Sequence, residues 1–244
     1  MKLTVLGSCG TFPGVDGACS GYLIQDGKAN ILIDCGNGVM SRVQRYCKIE
    51  EIDAIILSHL HYDHISDIFV FKYAIETKIL KGHVFRKKKI LLPATPEETA
   101  KKLYGENLFD MIHISEDLAM NIGDFRLSFA RMPHLIESYA VTVMQGDKKL
   151  TYSGDMGKNE KIKEVVRDAD VFLCESTLLK DNGDWRHSHH FSAGMAAEIA
   201  SACNVKKLLL THLWFEEDKQ EYLKEARKYF DNSFLAEEFS SHDF

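Results

Sequence analysis

Residues 52–64 read Ile52-Asp53-Ala54-Ile55-Ile56-Leu57-Ser58-His59-Leu60-His61-Tyr62-Asp63-His64, an apolar run that leads straight into four metal-ligand side chains. Imidazole and carboxylate are donors that zinc, manganese and iron accept, and a catalytic ion keeps one position open for water. His59 and His61 are two residues apart, so an extended chain points both to the same side. Asp63 and His64 fall where the chain turns toward a helix, which aims them at a second ion. The pattern is that of hydrolysis by a water activated between two ions.

Working outward, the 244 residues are 45% hydrophobic and 27% charged, the balance of an ordinary globular protein. Steady composition, only four prolines and no internal repeat predict one domain over 1–244. A formal net charge of −6 argues against bulk electrostatic binding of nucleic acid or anionic membrane. No apolar run approaches the roughly 18 residues of a membrane span, so no membrane association is expected. The start Met1–Gly7 is punctuated by glycine too early for a signal peptide, and the expected location is cytoplasmic. Six cysteines without a CxxC pair read as reduced thiols. Cys35, Cys174 and Cys203 lie in apolar surroundings, whereas Cys9, in a glycine-bearing loop, is expected to be more exposed.

The hydrophobic pattern predicts strands at 3–6, 21–25, 30–34, 54–57, 89–92, 125–132, 139–143, 150–153, 171–174 and 208–211. Asp26-Gly27 joins the second and third as a hairpin. Helices are expected near 39–46, from Asp63 to about Leu80, from Pro96, over 157–167, from a Ser192 cap to about Cys203, and over 219–230. The tail 234–244 is expected either to pack on a partner or to fray. Histidines and aspartates recur where strands end, and ligands commonly gather there in layered α/β folds. The fold class is therefore α/β (α+β), two sheets between helices, with the site on one edge.

Three strand ends supply further donors: His134 in Met132-Pro133-His134, Asp155 in Ser153-Gly154-Asp155, and His212 in Thr211-His212. The inferred partition gives His59, His61 and His134 to a first ion, and Asp63, His64 and His212 to a second. Asp155 bridges them, since a carboxylate has two oxygens.

The set His-x-His-x-Asp-His, Pro-His, Ser-Gly-Asp and Thr-His, covering residues from about 1 to 214, resembles the metallo-β-lactamase superfamily. The resemblance implies an αββα four-layer sandwich and two divalent ions, usually zinc, with manganese or iron in relatives. It also places the loop 8–20 near the ions. Cys174-Glu175-Ser176-Thr177 and the stretch from His190 to Ala200 are similar to a segment of ribonuclease Z and its phosphodiesterase relatives. There a glutamate and a histidine outside the metal ligands help protonate the leaving group. Relatives usually carry Ser-Thr after that histidine; Phe191-Ser192 stands here. The resemblance casts His190 as the acid, oriented and raised in pKa by Glu175, with Asp63 among the catalytic ligands.

Transfer-RNA-processing relatives insert a flexible arm between the Pro-His and Gly-Asp strands, where His134 to Asp155 leaves space for two strands and a turn. The chain thus looks like the compact phosphodiesterase branch, the YhfI-like short metallohydrolases. The expected activity is hydrolysis of small cyclic or linear nucleotide-like phosphodiesters. Open alternatives are a thioester or lactone hydrolase, ribonuclease Z-like processing without the arm, and a non-catalytic metal-binding module. Glyoxalase II and secreted β-lactamases resemble it less. A homodimer is common among relatives. The run Arg86–Lys89 reads as a solvated turn or a phosphate-steering lip. Trp185 and Phe191 read as base-stacking groups or a hydrophobic edge, and His187 and His189 as spectators or substrate contacts.

Overall fold

Period-two alternation decides the layers. Ile31 and Ile33 face one hydrophobic cluster while Leu32, between them, faces another, and all three are fully buried. A strand buried on both faces must lie between two layers of other elements. The computed structural model describes residues 1–83, 86–105, 107–179 and 189–244. Its elements run β1 (Lys2–Gly7), β2 (Gly21–Gln25), β3 (Asn30–Ile33), α1 (Val39–Val43), β4 (Ala54–Ile56), α2 (Tyr62–Leu80), β5 (Lys88–Leu92), α3 (Glu97–Leu103), β6 (Phe109–His113), β7 (Ala119–Ile122), β8 (Phe125–Met132), β9 (Ser138–Gln145), β10 (Lys148–Tyr152), α4 (Lys161–Val166), β11 (Val171–Glu175), α5 (Ala193–Ala202), β12 (Lys207–Thr211), α6 (Lys219–Ala226), β13 (Ser233–Leu235) and β14 (Ser241–Asp243).

The first sheet has the order β14-β1-β2-β3-β4-β5-β6 and the second β13-β12-β11-β10-β9-β8-β7. Between them pack Val5, Tyr22, Ile24, Ile31, Ile33 and Ile56 from one side and Leu127, Phe129, Val141, Tyr152 and Leu173 from the other. The outer face of the first sheet buries Leu23, Leu32 and Ile55 against Val39 of α1 and Ile65, Ile68, Phe71 and Ile75 of α2. The outer face of the second buries Phe172, Leu208 and Leu210 against Ile162, Ala196, Ala200 and Tyr222 of α4, α5 and α6. The result is the αββα sandwich. Among the described residues no helix is long and apolar enough to cross a membrane.

The hairpin at Asp26-Gly27 forms as expected, with Gly27 at φ +86° and Asp26 Oδ1 accepting from the Lys28 and Ala29 amides at 2.8 Å each. Ser192 caps α5, its hydroxyl accepting from the Met195 amide. Several expectations need correction. The tail does not fray: β13 adds to β12, and β14 pairs antiparallel with β1 in the register Lys2↔Asp243. The short strands β6 and β7 go beyond the pattern read from the sequence. The helix expected over 157–167 begins only at Lys161, because Asn159 Oδ1 accepts from the Ile162 amide and delays the first turn. Cys9 is buried, drawn inward by backbone bonds from its loop to Leu213 and Ala18.

The run Arg86–Lys89 lies far from the strand ends that carry the histidines. β5 runs parallel to β4 with Lys89 level with Ala54, at the opposite end of β4 from His59. Lys88 is buried and its amine donates to the Glu50 carbonyl at 2.6 Å. The phosphate-steering reading is therefore set aside.

Candidate metal centre

Parallel strands finish together, so their trailing residues meet at one edge. β10, β11 and β12 are mutually parallel and deliver Asp155, Glu175 and His212. β3 and β4 are parallel and deliver Asp34 and the segment His59–His64. The Tyr139 amide donates to the Ser58 carbonyl at 3.0 Å and ties the two sheets together at this edge.

All seven donors expected as ligands converge. One group holds His59, His61, His134 and Asp155, and another Asp63, His64 and His212, the ligand atoms in each lying within 4.8 Å of one another. Asp155 faces both groups: Oδ2 is 3.5 Å from His59 Nε2 and 3.4 Å from His212 Nε2, and Oδ1 is 3.4 Å from His64 Nε2. A third group joins Asp155 and His212 to His190.

Hydrogen bonds on the far side of each ring decide which nitrogen faces inward. Ser58 Oγ gives its proton to Asp34 Oδ2 at 2.8 Å, so toward His59 Nδ1 at 3.1 Å it accepts, and His59 Nε2 carries the lone pair. His64 Nδ1 donates to Asp34 Oδ2 at 2.7 Å. His134 Nδ1 donates to the His189 carbonyl at 2.9 Å. Thr177 Oγ1 gives its proton to Glu175 Oε2 at 2.8 Å and so accepts from His212 Nδ1 at 2.8 Å. Four Nε2 lone pairs thus face the centre. The exception is His61, whose Nδ1 lies 3.0 Å from His59 Nε2 and 3.2 Å from His134 Nε2. One proton serves at most one of those neighbours, whereas a cation is accepted by all three.

A further observation tests the fit. His64 Nε2 and Asp155 Oδ1 are buried and have no hydrogen-bond partner, although they lie 3.4 Å apart. Orphaned buried polar atoms are costly, and here both point into the donor cluster. The residues fit divalent metal binding. The electrostatics agree. Burial would raise Asp63, yet His64 and His212 hold it well below the usual carboxylate range. Burial would likewise raise Asp155, and His212, His64 and His59 depress it. Burial lowers His59, His61 and His134, the neutral state a ligand needs. Burial opposes the charge of His64 too, but Asp155, Asp63 and Asp34 outweigh it and raise that ring, a pull the same carboxylates would exert on a cation in the proton's place.

Close backbone packing sets these side chains. A Cβ on Gly36 would lie 2.0 Å from the Asp63 carbonyl oxygen, and one on Gly10 2.8 Å from His212 Nδ1. His212 itself sits at φ +54°, turning the chain so that Leu213 pairs with the loop 8–20. That loop approaches the centre, where the Thr11 amide donates to Asp63 Oδ2 at 2.9 Å.

His190 and Glu175 are also brought together. His190 Nδ1 lies 3.1 Å from Glu175 Oε1 and 3.8 Å from Asp155 Oδ2. Burial opposes its protonation, but the Glu175 carboxylate outweighs that and raises His190 to about 9. The Met156 amide donates to Glu175 Oε1 at 2.8 Å and holds the carboxylate in place. Phe191 is wholly buried in the cluster under α5, so it closes a hydrophobic edge rather than stacking on a base. His189 offers its carbonyl to His134, and its ring stands 6.5 Å from that of His134. His187 and Trp185 lie outside the described residues.

Three contributors escaped the sequence reading. Asp34 accepts from the Ser58 amide, Ser58 Oγ, His64 Nδ1 and Tyr152 Oη, at 2.7, 2.8, 2.7 and 2.9 Å. Its one visible signal is an acid directly after the apolar Ile31-Leu32-Ile33, the same placement that marked Asp155. Ser58 and Thr177, the hydroxyls between carboxylate and histidine, stand inside quoted motifs but carry no signal of their own.

Comparison with known proteins agrees with this geometry. The family described as "Beta-lactamase superfamily domain" matches residues 29–213. The chain is 32% identical over 213 residues to "Probable metallo-hydrolase YhfI" of Bacillus subtilis, covering 87% of each. The crystal structure of that metallo-beta-lactamase fold protein superimposes with a TM-score of 0.92 at 29% identity, covering 99% of both chains. A ribonuclease Z of Archaeoglobus fulgidus is 24% identical over 301 residues, covering 98% of this chain and 96% of its own. A diphosphatase of the PhnP family shares the fold, with a TM-score of 0.76 at 18% identity over 100% of this chain and 97% of that one.

Proposed function

The chain belongs to the beta-lactamase superfamily, and from that premise we propose that it is a phosphodiesterase acting on small cyclic or linear nucleotide-like phosphodiesters. The observation that carries this reading is the His190–Glu175 pair, poised 3.8 Å from Asp155 and outside the two main ligand groups. His59, His61 and His134 would hold one divalent ion, and Asp63, His64 and His212 another, with Asp155 shared. Zinc suits this donor set of five imidazoles and two carboxylates, as do manganese and iron. Ions bound there supply Lewis acidity and lower the pKa of water to near neutrality.

The chain's own part is to orient and to move one proton. His190 keeps its Nδ1 proton on Glu175, which leaves the imidazolium charged at neutral pH, with the proton on Nε2 the one it can give up. A phosphodiester must lose an alkoxide, and a nearby imidazolium can neutralise it. Thioester hydrolysis has less need of this, because a thiolate departs more readily than an alkoxide. The ribonuclease Z relative supports phosphodiester chemistry. The net charge of −6 and the filling of 138–152 by β9 and β10 weigh against bulk nucleic-acid binding. The reading also takes the protein as cytoplasmic and as a homodimer. Exposed Tyr62, Val70, Tyr73 and Leu80 along α2 offer a self-association face, testable by light scattering.

The test is elemental analysis of the purified protein together with turnover of bis-p-nitrophenyl phosphate, a 2′,3′-cyclic nucleotide, a thioester and a lactone. Two ions per chain and selective phosphodiester cleavage are expected. Cleavage of the thioester or lactone alone would overturn the phosphodiesterase reading.

A further inference from the structure

Thr177 Oγ1 has four partners and one proton. It lies 2.8 Å from Glu175 Oε2, 2.8 Å from His212 Nδ1, 3.1 Å from the His212 carbonyl oxygen and 3.4 Å from His190 Nδ1. The carboxylate is the strongest acceptor among them, so the proton goes to Glu175. The oxygen is then an acceptor toward His212, which forces the His212 proton onto Nδ1 and the lone pair onto Nε2. That Nε2 is the atom 3.0 Å from Asp63 Oδ2 and 3.4 Å from Asp155 Oδ2.

We propose that the Thr177 hydroxyl is a positioning group that couples the His212 ligand to the Glu175–His190 pair. The coupling runs both ways, as any linkage must. A cation on His212 Nε2 strengthens the Nδ1–H donor, which strengthens the Thr177 bond to Glu175 and steadies the carboxylate that holds His190. In reverse, the fixed Glu175 carboxylate keeps Thr177 as an acceptor and so favours the metal-ready tautomer of His212. The backbone gives the hydroxyl little alternative. The Ser176 amide donates to the Thr211 carbonyl at 2.8 Å, which locks Thr177 beside His212. Tyr222 Oη donates to the Thr177 carbonyl at 3.2 Å from the opposite side.

The inference rests on the reading of the cluster as a two-ion centre, but not on the identity of the substrate. Its test reads metal affinity rather than turnover. The apo-protein is titrated with zinc against a chromophoric chelator, for wild type and for Thr177→Val, Thr177→Ser and Thr177→Ala. Valine matches threonine in shape without the hydroxyl, and serine and alanine differ only by that hydroxyl. Outer partners of metal ligands are typically worth 10–100-fold in affinity. Thr177→Val and Thr177→Ala are expected to weaken one of the two binding events by about that factor and leave the other unchanged. Thr177→Ser is expected to stay near wild type. Should valine fail to fold, the serine–alanine pair decides. Equal affinities for serine and alanine, or two undisturbed ions in Thr177→Val, overturn the inference while the two-ion reading stands. A wild type that takes up no zinc overturns both.

Discussion

The two sheets reach the centre with the same device, and the contrast lies in how far each is sealed. On the first sheet, buried Asp34 takes His64 directly and His59 through the Ser58 hydroxyl. On the second, buried Glu175 takes His190 directly and His212 through the Thr177 hydroxyl. Each carboxylate thus orients two imidazoles, one by contact and one through a hydroxyl. The His59 and His64 side chains are fully buried, whereas the His190 side chain is 27% exposed. Sealed charge relays govern folding and ligand order, because an unpaired group there has no water to turn to. A relay open to solvent can exchange a proton with a substrate. On the function proposed above, the same geometry orders buried donors on both sheets, His212 among them, and serves chemistry at His190 alone.

The largest effect is expected where the seal is tightest. Asp34→Ala strands the Ser58 amide and hydroxyl, His64 Nδ1 and Tyr152 Oη, all buried. Breaking a buried charged network costs about 3–5 kcal/mol. For a chain of this size that is a fall of roughly 6–20 °C in melting temperature, with loss of metal. Calorimetry and elemental analysis would read both. A near-native melting curve would break the contrast, since Asp34 would then be no more structural than Glu175.

Glu175→Gln and His190→Ala should show the opposite profile. In both, kcat should fall by about 10²–10⁴-fold, the usual worth of a placed acid. In His190→Ala melting should shift little and both ions should remain, whereas Glu175→Gln, through Thr177, should also weaken the ion on His212. The loss should be greater for an alkyl nucleoside leaving group than for p-nitrophenolate, which departs without a proton. Because the two act as a unit, the double variant should lose little more than either single one. Equal losses for both leaving groups would remove His190 from the proton transfer.

The pH profile sharpens the same contrast. His190 is raised to about 9, so it is protonated at neutral pH and its acid form disappears as pH rises through that value. Activity should therefore fall on the alkaline side with one proton lost. Bound cations offset the help that Asp155 and Asp63 give His190, so the limb should lie somewhat below 9 in the loaded enzyme. In His190→Gln the limb should vanish. Its persistence there would assign it to another group.

How each feature is encoded decides whether the sequence reveals it. The donor cluster could be read because metal chemistry restricts residue type and because strands deliver such donors in short motifs. Asp34 could not, because its meaning lies in partners 24, 30 and 118 residues away. In sequence it is only an acid after a strand. Thr177 stood inside the motif that identified Glu175, but a hydroxyl beside a carboxylate is common, and His212, 35 residues later, gives it its role. The core strands showed their alternation. β13 and β14 have three residues each, too few for any period, and their place comes from distant edges such as Lys2↔Asp243. Phe191 is ambiguous in sequence, an aromatic beside a candidate acid histidine, and only its burial under α5 decides that it is core.

The smallest expected effect concerns how the open relay is held. Among the described residues, His190 belongs to no strand. Its chain is anchored by the residues just after it, the Leu178 amide donating to the Phe191 carbonyl, the Ala193 amide to the Leu178 carbonyl, and Ser192 capping α5. Ser192→Ala removes the cap bond to the Met195 amide and should cost about 1 kcal/mol, or roughly 2–4 °C in melting temperature. Because Phe191 stays buried and the backbone bonds remain, kcat should fall by less than about tenfold, well short of the acid's own worth. A loss as large as that of His190→Ala, with melting hardly changed, would mean that the helix start rather than Glu175 sets the histidine. The second sheet would then lack the carboxylate-centred control that the first has in Asp34.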